Sequence, residues 1–166
     1  MKAILGLGGN LGSPCENIRS ALAAVSNLCS TRLLRISRYY LTEAVEVTLP
    51  QPPYINCAAE IETRLSPNAL LGACLGIESA LGRTRPGCKS PRTVDIDLLL
   101  YEGARLCSDE LTLPHPGILR RAFVLRPLLD LYPEGTALDF SFNGAINSVA
   151  DQKIELFIPD DLICEP

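Results

Sequence analysis

The sequence predicts an α+β fold built around one antiparallel sheet. Segments that alternate apolar and polar residues, as half-buried strands do, are separated by two helix starts in which a serine precedes a proline. The resulting order is strand, helix, strand, strand, helix, strand. This order is typical of a ferredoxin-like arrangement, with a mostly antiparallel four-stranded core sheet, helices packed on one face and the other face open for a ligand. We expect C-terminal helices and a short extra hairpin beyond this core.

The start of the chain predicts a first strand followed by a first helix. Lys2–Leu7 reads as a buried strand and Gly8–Gly12 as a glycine-rich turn. Ser13, Pro14 and Glu16 then predict a helix start, because serine three residues ahead of glutamate forms a capping box and proline fits the first helical position.

The same signals continue along the chain. Ser66 and Pro67 repeat the cap-plus-proline pattern, and Gly82 stands where a helix-terminating glycine belongs. The predicted elements after the first helix are, in order, a strand at Arg32–Tyr40, a loop at Thr42–Pro53, a strand at Tyr54–Leu65, a helix from Pro67 to Leu81, a basic loop at Arg83–Pro91, a strand at Val94–Tyr101 and a helix at Leu119–Leu131.

Composition excludes several classes of protein. With 15 basic and 19 acidic residues, the chain has no diffuse positive field to gather nucleic acid or an anionic membrane. No apolar run approaches the roughly 18 residues of a membrane helix, and we read no signal peptide, so we expect a cytoplasmic protein. The seven cysteines are scattered without a C-x-x-C pair, which argues against a disulfide framework or a zinc site and predicts that most are buried.

Asp95 and Asp97 are the sharpest chemical feature. Residues two apart in a strand lie on the same face, so both carboxylates are expected to face one point. Magnesium is usually held by one or two carboxylates together with substrate phosphates. Taken alone, the pair is more often a solvated Asp-x-Asp on a sheet face than a metal site, because short motifs are common by accident.

Cations precede this acidic pair. Arg83, Arg85, Lys89 and Arg92 lie in a loop broken by prolines and glycine. Guanidinium groups bind phosphate oxygens in a bidentate manner, so a polyphosphate with its magnesium would complete the set of charges. The alternative is a solvated loop paired with acidic residues such as Glu78.

Further candidates lie elsewhere in the sequence. His115, between two prolines, is either a phosphate donor or a turn residue, and Arg121 with its basic neighbour is poorly placed for the helix dipole, which hints at an anionic ligand. Tyr54, Asn56 and Phe123 suit a planar heterocycle, although each taken singly is more typical of an ordinary core or turn residue.

Several of these strings, in this order, resemble the 6-hydroxymethyl-7,8-dihydropterin pyrophosphokinase family from Ile4 to about Pro133. The matching strings are Gly8-Gly9-Asn10-Leu11-Gly12, Tyr54-x-Asn56, Glu78-x-x-x-Gly82-Arg83-x-Arg85, Pro91-Arg92-Thr93-Val94-Asp95-Ile96-Asp97, Leu113-Pro114-His115-Pro116 and Arg121-Ala122-Phe123-Val124-Leu125. The resemblance implies one domain over residues 1–166, with 134–166 as a weakly matched tail, and an enzyme that transfers diphosphate from ATP to the pterin hydroxymethyl group.

The resemblance also implies roles for residues. Asp95 and Asp97 would hold two magnesium ions, with Arg83 and Arg92 also catalytic. The residues that would bind ATP are Glu78, Arg83, Arg85, Arg92, His115 and Arg121. Those that would bind the pterin are Thr42, Tyr54, Asn56, Asp95 and Phe123. The expected partners are these two small molecules only, and the expected state is a monomer.

The chain departs from the family pattern at three places. Glu43 replaces a proline-containing segment, Gly117 stands where a charged residue often follows the histidine turn, and Lys89-Ser90 replaces a segment that often carries tryptophan. Two rival functions are a non-enzymatic ferredoxin-like module that senses a small molecule, and an RNA-binding sheet, which this acidic, aromatic-poor chain does not favour.

Overall fold

The structure is a computed structural model that describes residues 1–43, 51–83 and 90–159. Its elements, in chain order, are β1 (Lys2–Gly9), α1 (Pro14–Ser26), β2 (Thr31–Ile36), β3 (Tyr39–Thr42), β4 (Tyr54–Thr63), α2 (Pro67–Ala80), β5 (Asp95–Tyr101), β6 (Leu106–Cys107), β7 (Thr112–Leu113), a 3₁₀ helix (Ile118–Arg120), α3 (Ala122–Leu131), β8 (Thr136–Ala137), β9 (Phe140–Ser141), a second 3₁₀ helix (Ala145–Val149) and β10 (Ile154–Phe157).

The main sheet of the described residues has six strands, in the order β10-β3-β4-β1-β5, with β2 also paired to β4. Every pair in it is antiparallel. The predicted mixed fold with an antiparallel sheet is confirmed, whereas the predicted sheet of four strands is not what is seen. Two short hairpins, β6–β7 and β8–β9, lie outside the sheet where one extra hairpin was predicted.

The predicted strand Arg32–Tyr40 is divided into β2 and β3, which lie one after the other along the same edge of β4. Ser37 marks the break. Its Oγ accepts a hydrogen bond from the Ala58 N–H at 2.9 Å and donates to the Arg38 carbonyl at 2.7 Å. A serine side chain can take the place of a backbone group in this way, so the strand bends here without leaving buried donors unpaired.

Helices α1 and α2 cover one face of the sheet. Their buried residues, such as Ile18 and Leu70, pack with Leu5 and Ile96 in one hydrophobic cluster. The predicted cap of α2 is present, since the Ser66 Oγ accepts from the Ala69 N–H at 3.3 Å.

The predicted capping box of α1 does not form. The Ser13 side chain makes no cap hydrogen bond, and only its backbone carbonyl is used, which accepts from the Asn17 N–H at 3.0 Å. Pro67 follows Ser66 in the same way, so proline is not the cause; Ser13 has φ −106° and ψ 83°, whereas Ser66 has φ −65° and ψ 160°, the extended conformation typical of a capping residue.

Helix α3 packs on the opposite face, which corrects the prediction that helices cover one face only. Ile4 and Leu100 of the sheet form a second cluster with Leu125 and Leu128 of α3. Chain beyond α3 contributes to this cluster through its buried residues Ala137, Phe142 and Val149. Part of this second face is therefore closed by α3 and the following segment, and the remainder is open.

An irregularity in β5 lies between the closed part and the open part of this second face of the sheet. The pairing of β1 with β5 shifts between Ile4 and Leu5, so that Leu5 lies opposite Leu98 and Ile4 opposite Leu100. Leu99 and Leu100 consequently pack in the same cluster on the α3 side. The predicted alternation of β5 therefore holds from Asp95 to Leu99 and fails at Leu100 and Tyr101, because a bulge reverses the side chains that follow it.

The cysteine prediction is only partly correct. Cys57 and Cys74 are buried, Cys15 is partly buried, and Cys29 and Cys107 are exposed, all as free thiols. Cys88 and Cys164 lie outside the described residues. None of the helices in the described segments has the length and apolar character that a membrane crossing requires.

Candidate active site

The open part of the second face forms a cavity of about 410 Å³. Its floor is the sheet, where Gly6 and Gly8 of β1 lie beside β5. A side chain at Gly8 would approach the Asn56 Oδ1 to 2.6 Å, and one at Gly9 would approach the Thr93 carbonyl to 2.3 Å. Glycine at these two positions therefore lets the polar groups of neighbouring strands lie close to the backbone of β1.

Asp95 and Asp97 both line this cavity, as their spacing in a strand predicts. Asp95 accepts hydrogen bonds from Arg83 through Oδ1 and from Arg92 through Oδ2. The two guanidinium groups thus converge on one carboxylate. Arg85 and Lys89, which were predicted to join them, lie outside the described residues.

Arg83 is placed by the end of α2. Gly82 has a φ of +81°, and the N–H groups of Gly82 and Arg83 donate to the carbonyls of Ser79 and Glu78. This is the Schellman motif, for which glycine is favoured because it adopts the left-handed conformation without strain. The turn brings Arg83 back over Glu78, whose carboxylate lies 2.6 Å from the Arg83 Nη1.

Glu78 lies behind the acidic pair and lines neither of the two cavities described here. Its side chain is 2% exposed, and its Oε1 accepts from the Ile96 N–H at 2.7 Å, between Asp95 and Asp97 in the chain. Glu78 therefore supports β5 and Arg83 from the buried side, and its place beside the nucleotide, implied by the resemblance, stays a prediction.

Hydrogen bonds between the backbone of Arg92 and the end of β1 fix the position of Arg92. The Arg92 N–H donates to the Asn10 Oδ1 at 2.9 Å, and the Arg92 carbonyl accepts from the N–H groups of Asn10 and Leu11. The Asn10 side chain also donates to the Pro52 carbonyl at 3.1 Å. Buried Asn10 thus joins three segments at the end of β1, a role that its position in a glycine-rich turn did not indicate.

The charges of the site shift the pKa values of its carboxyl groups in opposite directions. Burial would raise the pKa of Asp95, but the charges of Arg83 and Arg92 outweigh it and the pKa is lowered. Burial, together with the charge of Asp95, raises the pKa of Asp97 to about 6. Burial also raises the pKa of Glu78. Separated pKa values in one cleft are typical of functional carboxylates.

Aromatic rings line two walls of the cavity. The guanidinium carbon of Arg92 lies 6.0 Å from the centre of the Tyr54 ring, and that of Arg121 lies 5.6 Å from the centre of the Phe123 ring. At the floor, the Asn56 Nδ2 donates to the Thr42 Oγ1 at 2.9 Å. The structure therefore brings to this cavity all five residues that the resemblance assigns to the pterin, namely Thr42, Tyr54, Asn56, Asp95 and Phe123.

His115 lines a second cavity of about 260 Å³, together with Leu71, Leu98 and Thr112. Its backbone N–H donates to the Leu99 carbonyl at 2.9 Å, and its Nδ1 accepts from the Gly117 N–H at 3.0 Å. Burial and the charge of Arg121 lower the pKa of His115. The ring is thus neutral at pH 7, and its proton is on Nε2, because Nδ1 is an acceptor.

Asp97 lines both cavities. A ligand in the larger cavity and a ligand in the second would therefore meet at this carboxylate. One cavity offers aromatic rings and an amide, and the other offers aliphatic side chains, His115 and the acidic residues Asp109 and Glu110. The arrangement suits a reaction between two bound molecules in which charged groups at the junction stabilise the group that moves.

Two carboxylates, Asp95 and Asp97, are available for a hard cation. No group of three or more His, Cys, Asp or Glu side chains within residues 1–43, 51–83 and 90–159 forms a metal cluster. A pair of carboxylates fits magnesium, which completes its coordination with phosphates and water. The raised pKa of Asp97 fits as well, because a cation would relieve the repulsion that disfavours its ionised form.

Several residues of the larger cavity were not predicted as site residues from the sequence. Leu99 belongs to a strand whose apolar residues all suggest core, and Gln152 belongs to a segment without a recognisable motif. Arg120, which was noted only as the neighbour of Arg121, also lines this cavity.

The model of the family described as 7,8-dihydro-6-hydroxymethylpterin-pyrophosphokinase (HPPK) matches residues 4–133. The chain belongs to this family. Among its relatives, the 2-amino-4-hydroxy-6-hydroxymethyldihydropteridine pyrophosphokinase of Methylorubrum extorquens is 40% identical over 133 residues, which are 80% of this chain and 84% of that protein. The resemblance found in the sequence is thereby confirmed.

Other HPPK relatives are much longer than this chain. The folic acid synthesis protein fol1 of Schizosaccharomyces pombe is 42% identical over 80% of this chain, which spans only 18% of that protein. A crystal structure of an HPPK-DHPS protein in complex with substrates has a TM-score of 0.65 at 14% identity, and the match covers 90% of this chain and 43% of that one. Similarity to this HPPK structure supports the fold alone.

Proposed function

We propose that this chain transfers diphosphate from ATP to the hydroxymethyl group of 6-hydroxymethyl-7,8-dihydropterin, with AMP as the second product. Membership of the HPPK family makes it a pyrophosphokinase of folate synthesis. The single observation that carries the proposal is the position of Asp97, which lines both cavities. A transferase must bring donor and acceptor together, and Asp97 lies where they would meet.

The larger cavity is the proposed pterin site. Tyr54 and Phe123 would lie on either side of the ring, since flat apolar surfaces suit a planar heterocycle. Asn56 and Thr42 form a hydrogen-bonded pair at the floor of the cavity. These polar groups would recognise the edge of the ring and set its orientation, as the few polar groups of an apolar pocket usually do.

The second cavity and the junction are the proposed ATP site. Leu71 and Leu98 would contact the nucleoside, and His115, whose Nδ1 is occupied by the Gly117 N–H, would donate to a phosphate oxygen through Nε2. Arg92 and Arg121 line the larger cavity near the junction and would bind the triphosphate, because guanidinium groups match phosphate oxygens. Arg83, now paired with Asp95, would add to this positive charge.

Asp95 and Asp97 would hold two magnesium ions, which neutralise phosphate charge when bound. In this structure Asp95 is paired with Arg83 and Arg92. Binding of a magnesium nucleotide would therefore exchange partners: the carboxylate would turn from guanidinium to metal, and the guanidinium groups from carboxylate to phosphate.

The reaction itself consists of one displacement. The hydroxymethyl oxygen attacks the β-phosphorus and loses its proton to water, the bond from that phosphorus to the oxygen of the α-phosphate breaks, and AMP leaves with that oxygen. Such a transfer depends on positioning and charge neutralisation more than on covalent catalysis. The two cavities supply the positioning, and the arginines around Asp95 supply the charge.

The rival function, a non-enzymatic sensing module, is not favoured by the family match. We also infer that the part of the sheet formed by β1, β2 with β3, β4 and β5 follows a ferredoxin-like plan. Its support is the chain order, in which α1 and α2 separate these strands and pack on the same face.

The test is an assay of the nucleotide product. Protein supplied with ATP, magnesium and the hydroxymethyl dihydropterin should release AMP, and Asp97→Ala should lose most of this release. Asp139→Asn is the matched control, because Asp139 is exposed, lines neither cavity and has a positive φ that asparagine tolerates. Release of ADP would instead indicate a simple kinase and contradict the proposal.

A further inference from the structure

Gln152 lies in a segment outside residues 4–133, the part of the chain that the family model matches. Its side chain is half-buried and lines the larger cavity beside Arg120, Arg121 and Phe123. We propose that Gln152 is a positioning residue, which fixes the backbone of Arg121 and so the wall of the cavity that Arg121 and Phe123 form. The expected effect of Gln152 on substrate binding rests on the proposed function. Its expected effect on the backbone of Arg121 does not.

The Gln152 carboxamide spans Arg121 with two hydrogen bonds. Its Oε1 accepts from the Ala122 N–H at 2.8 Å, and its Nε2 donates to the Arg120 carbonyl at 2.9 Å. Both bonded groups are backbone, one on each side of Arg121. The amide therefore pairs with the backbone on both sides of Arg121, as a neighbouring strand would. Neither of these two hydrogen bonds involves the Arg121 side chain.

The backbone at Arg121 needs such support. Arg121 is extended, with φ −130° and ψ 114°, between the 3₁₀ helix at Ile118–Arg120 and α3. It is also the N-cap residue of α3 and makes no side-chain cap hydrogen bond. The first N–H groups of a helix have no partner within the helix, so the Ala122 N–H depends on an outside acceptor. Gln152 provides it.

The residues after Gln152 join the opposite wall of the cavity. Ile154 of β10 pairs with Thr42 of β3, and Lys153 forms an exposed ion pair with Glu43 at 3.1 Å. Thr42 in turn accepts a hydrogen bond from Asn56. A short run of chain thus connects the wall with Arg121 to the floor with Thr42, and the distance between them is set by this connection.

Gln152→Met tests the proposal, because methionine keeps the shape of the side chain and removes both hydrogen bonds. We expect binding of α,β-methylene-ATP with magnesium to weaken about tenfold, as two lost hydrogen bonds to backbone would allow. In an Arg121→Ala background the same change should alter binding less than about twofold, because the residue that Gln152 positions is then absent. Gln152→Asn, whose amide is one methylene too short to reach both groups, should reproduce the weakening.

Glu155→Gln is the matched control. Glu155 is exposed, belongs to the same short segment and lines neither cavity, so its change should leave binding unchanged. Hydrogen exchange provides a second measurement that needs no substrate: in Gln152→Met the amides of residues 121–124 should exchange faster, while those of β1 and β4 keep their protection.

Two results would overturn the proposal. The first is an equal loss of binding in the presence and absence of the Arg121 side chain, which would mean that Gln152 acts through stability in general. The second is faster exchange across the whole sheet, or no faster exchange at residues 121–124. Should the unsubstituted protein fail to bind the ATP analogue, the proposed function fails, and the exchange measurement still decides the role of Gln152.

Discussion

Asp95 and Asp97, two residues apart on one strand, have opposite electrostatic environments. Asp95 is held between the guanidinium groups of Arg83 and Arg92. Asp97 is buried and lies near the negative charge of Asp95, and both effects raise its pKa to about 6. Two neighbouring carboxyl groups of one strand are therefore given different pKa values by their surroundings, and ionised Asp97 carries a cost to stability that ligand binding would recover.

The raised pKa of Asp97 predicts a dependence of stability on pH. The folded protein keeps the proton of Asp97 up to about pH 6, whereas the unfolded chain loses it near pH ~4. The free energy of unfolding should therefore fall as the pH rises from about 4 to about 6, and this loss is complete above about pH 6. Asp97→Asn should raise the free energy of unfolding at pH 7 by on the order of 1–3 kcal/mol, and by nearly nothing at pH 3.5.

Urea unfolding at the two pH values, in the presence of a chelator, measures this difference. The same variant should be inactive, so that the loss of AMP release cannot be attributed to unfolding. Equal stability of Asp97→Asn and the unsubstituted protein at pH 7 would show that Asp97 is not under the strain inferred here.

Gly117 predicts a second effect at the scale of one residue. A Cβ at this position would lie 3.0 Å from the His115 ring and 3.1 Å from the Arg121 Nε. Its φ is −80°, so alanine is allowed by the backbone and only these two contacts are disturbed. Gly117→Ala should weaken binding of a magnesium ATP analogue about tenfold, because both displaced groups are proposed phosphate ligands.

Gly76→Ala is the control for Gly117→Ala, measured by the same titration calorimetry. A Cβ at Gly76, within α2, meets nothing within 4 Å. Alanine is the better helix former, so this change should leave binding unaltered and stabilise the protein by about 0.5–1 kcal/mol. Unchanged binding in Gly117→Ala would show that His115 and Arg121 tolerate displacement.

At the scale of elements, α3 is attached to the sheet by charged groups at its C-terminal half. Asp130 accepts a hydrogen bond from the Tyr40 hydroxyl at 3.0 Å and from the Arg38 N–H at 3.1 Å. Burial would raise the pKa of Asp130, but the hydrogen bonds from Arg38 and Tyr40 outweigh it and the pKa is lowered. These contacts join β3 to α3, and so hold the helix that begins beside the cavity.

Asp130→Asn should therefore lower the free energy of unfolding at pH 7 by about 1–2 kcal/mol. Since the folded pKa of Asp130 is lowered, its stabilisation is present above the unfolded value of about 3.9 and is lost as the pH falls below it. The difference between the two proteins in urea should shrink from pH 5 to pH 2.5. Glu62→Gln, which breaks an exposed pair with Arg32, should change stability by less than about 0.5 kcal/mol.

Local sequence patterns were enough to locate most elements but not their departures from regularity. Proline after serine marked the starts of α1 and α2, and the two-residue period of β5 placed both aspartates in one cavity. The break at Ser37 and the bulge at Leu99–Leu100 depend on hydrogen bonds and packing between distant segments. No local period contains that information.

The same reason limits prediction of the site. Asp95, Arg92 and His115 belong to short motifs, so their chemistry can be predicted from the sequence alone. Gly117 matters only because two side chains happen to flank it, and Gln152 only because the fold returns it to Arg121 from 31 positions away along the chain (152 − 121). Contacts of this kind become visible only when the tertiary structure is known.

At the scale of the whole molecule, the structure extends beyond the part that the family model matches. Ala137, Phe142 and Val149 are each no more than 3% exposed and complete the second hydrophobic cluster. β10 adds a strand to the sheet edge. The part of the chain after Pro133 is therefore integral to the packing of α3 and to the shape of the cavity.

A chain ending at Pro133 should accordingly lose cooperative unfolding, as measured by circular dichroism during urea titration. Phe142→Ala tests the same point without truncation and should cost about 3–5 kcal/mol, the usual range for a phenylalanine removed from a core. A truncated chain that unfolds with the midpoint of the whole protein would show that the segment contributes nothing to the core.

The bulge at Leu99–Leu100 has a practical consequence for engineering. It lies between the acidic end of β5 and its apolar end, so the packing of Leu100 against α3 is geometrically uncoupled from the orientation of Asp97. Leu100, Leu125 and Leu128, which belong to the α3 cluster and line neither cavity, can therefore be redesigned for heat resistance while the half of the strand that carries both aspartates is kept unchanged.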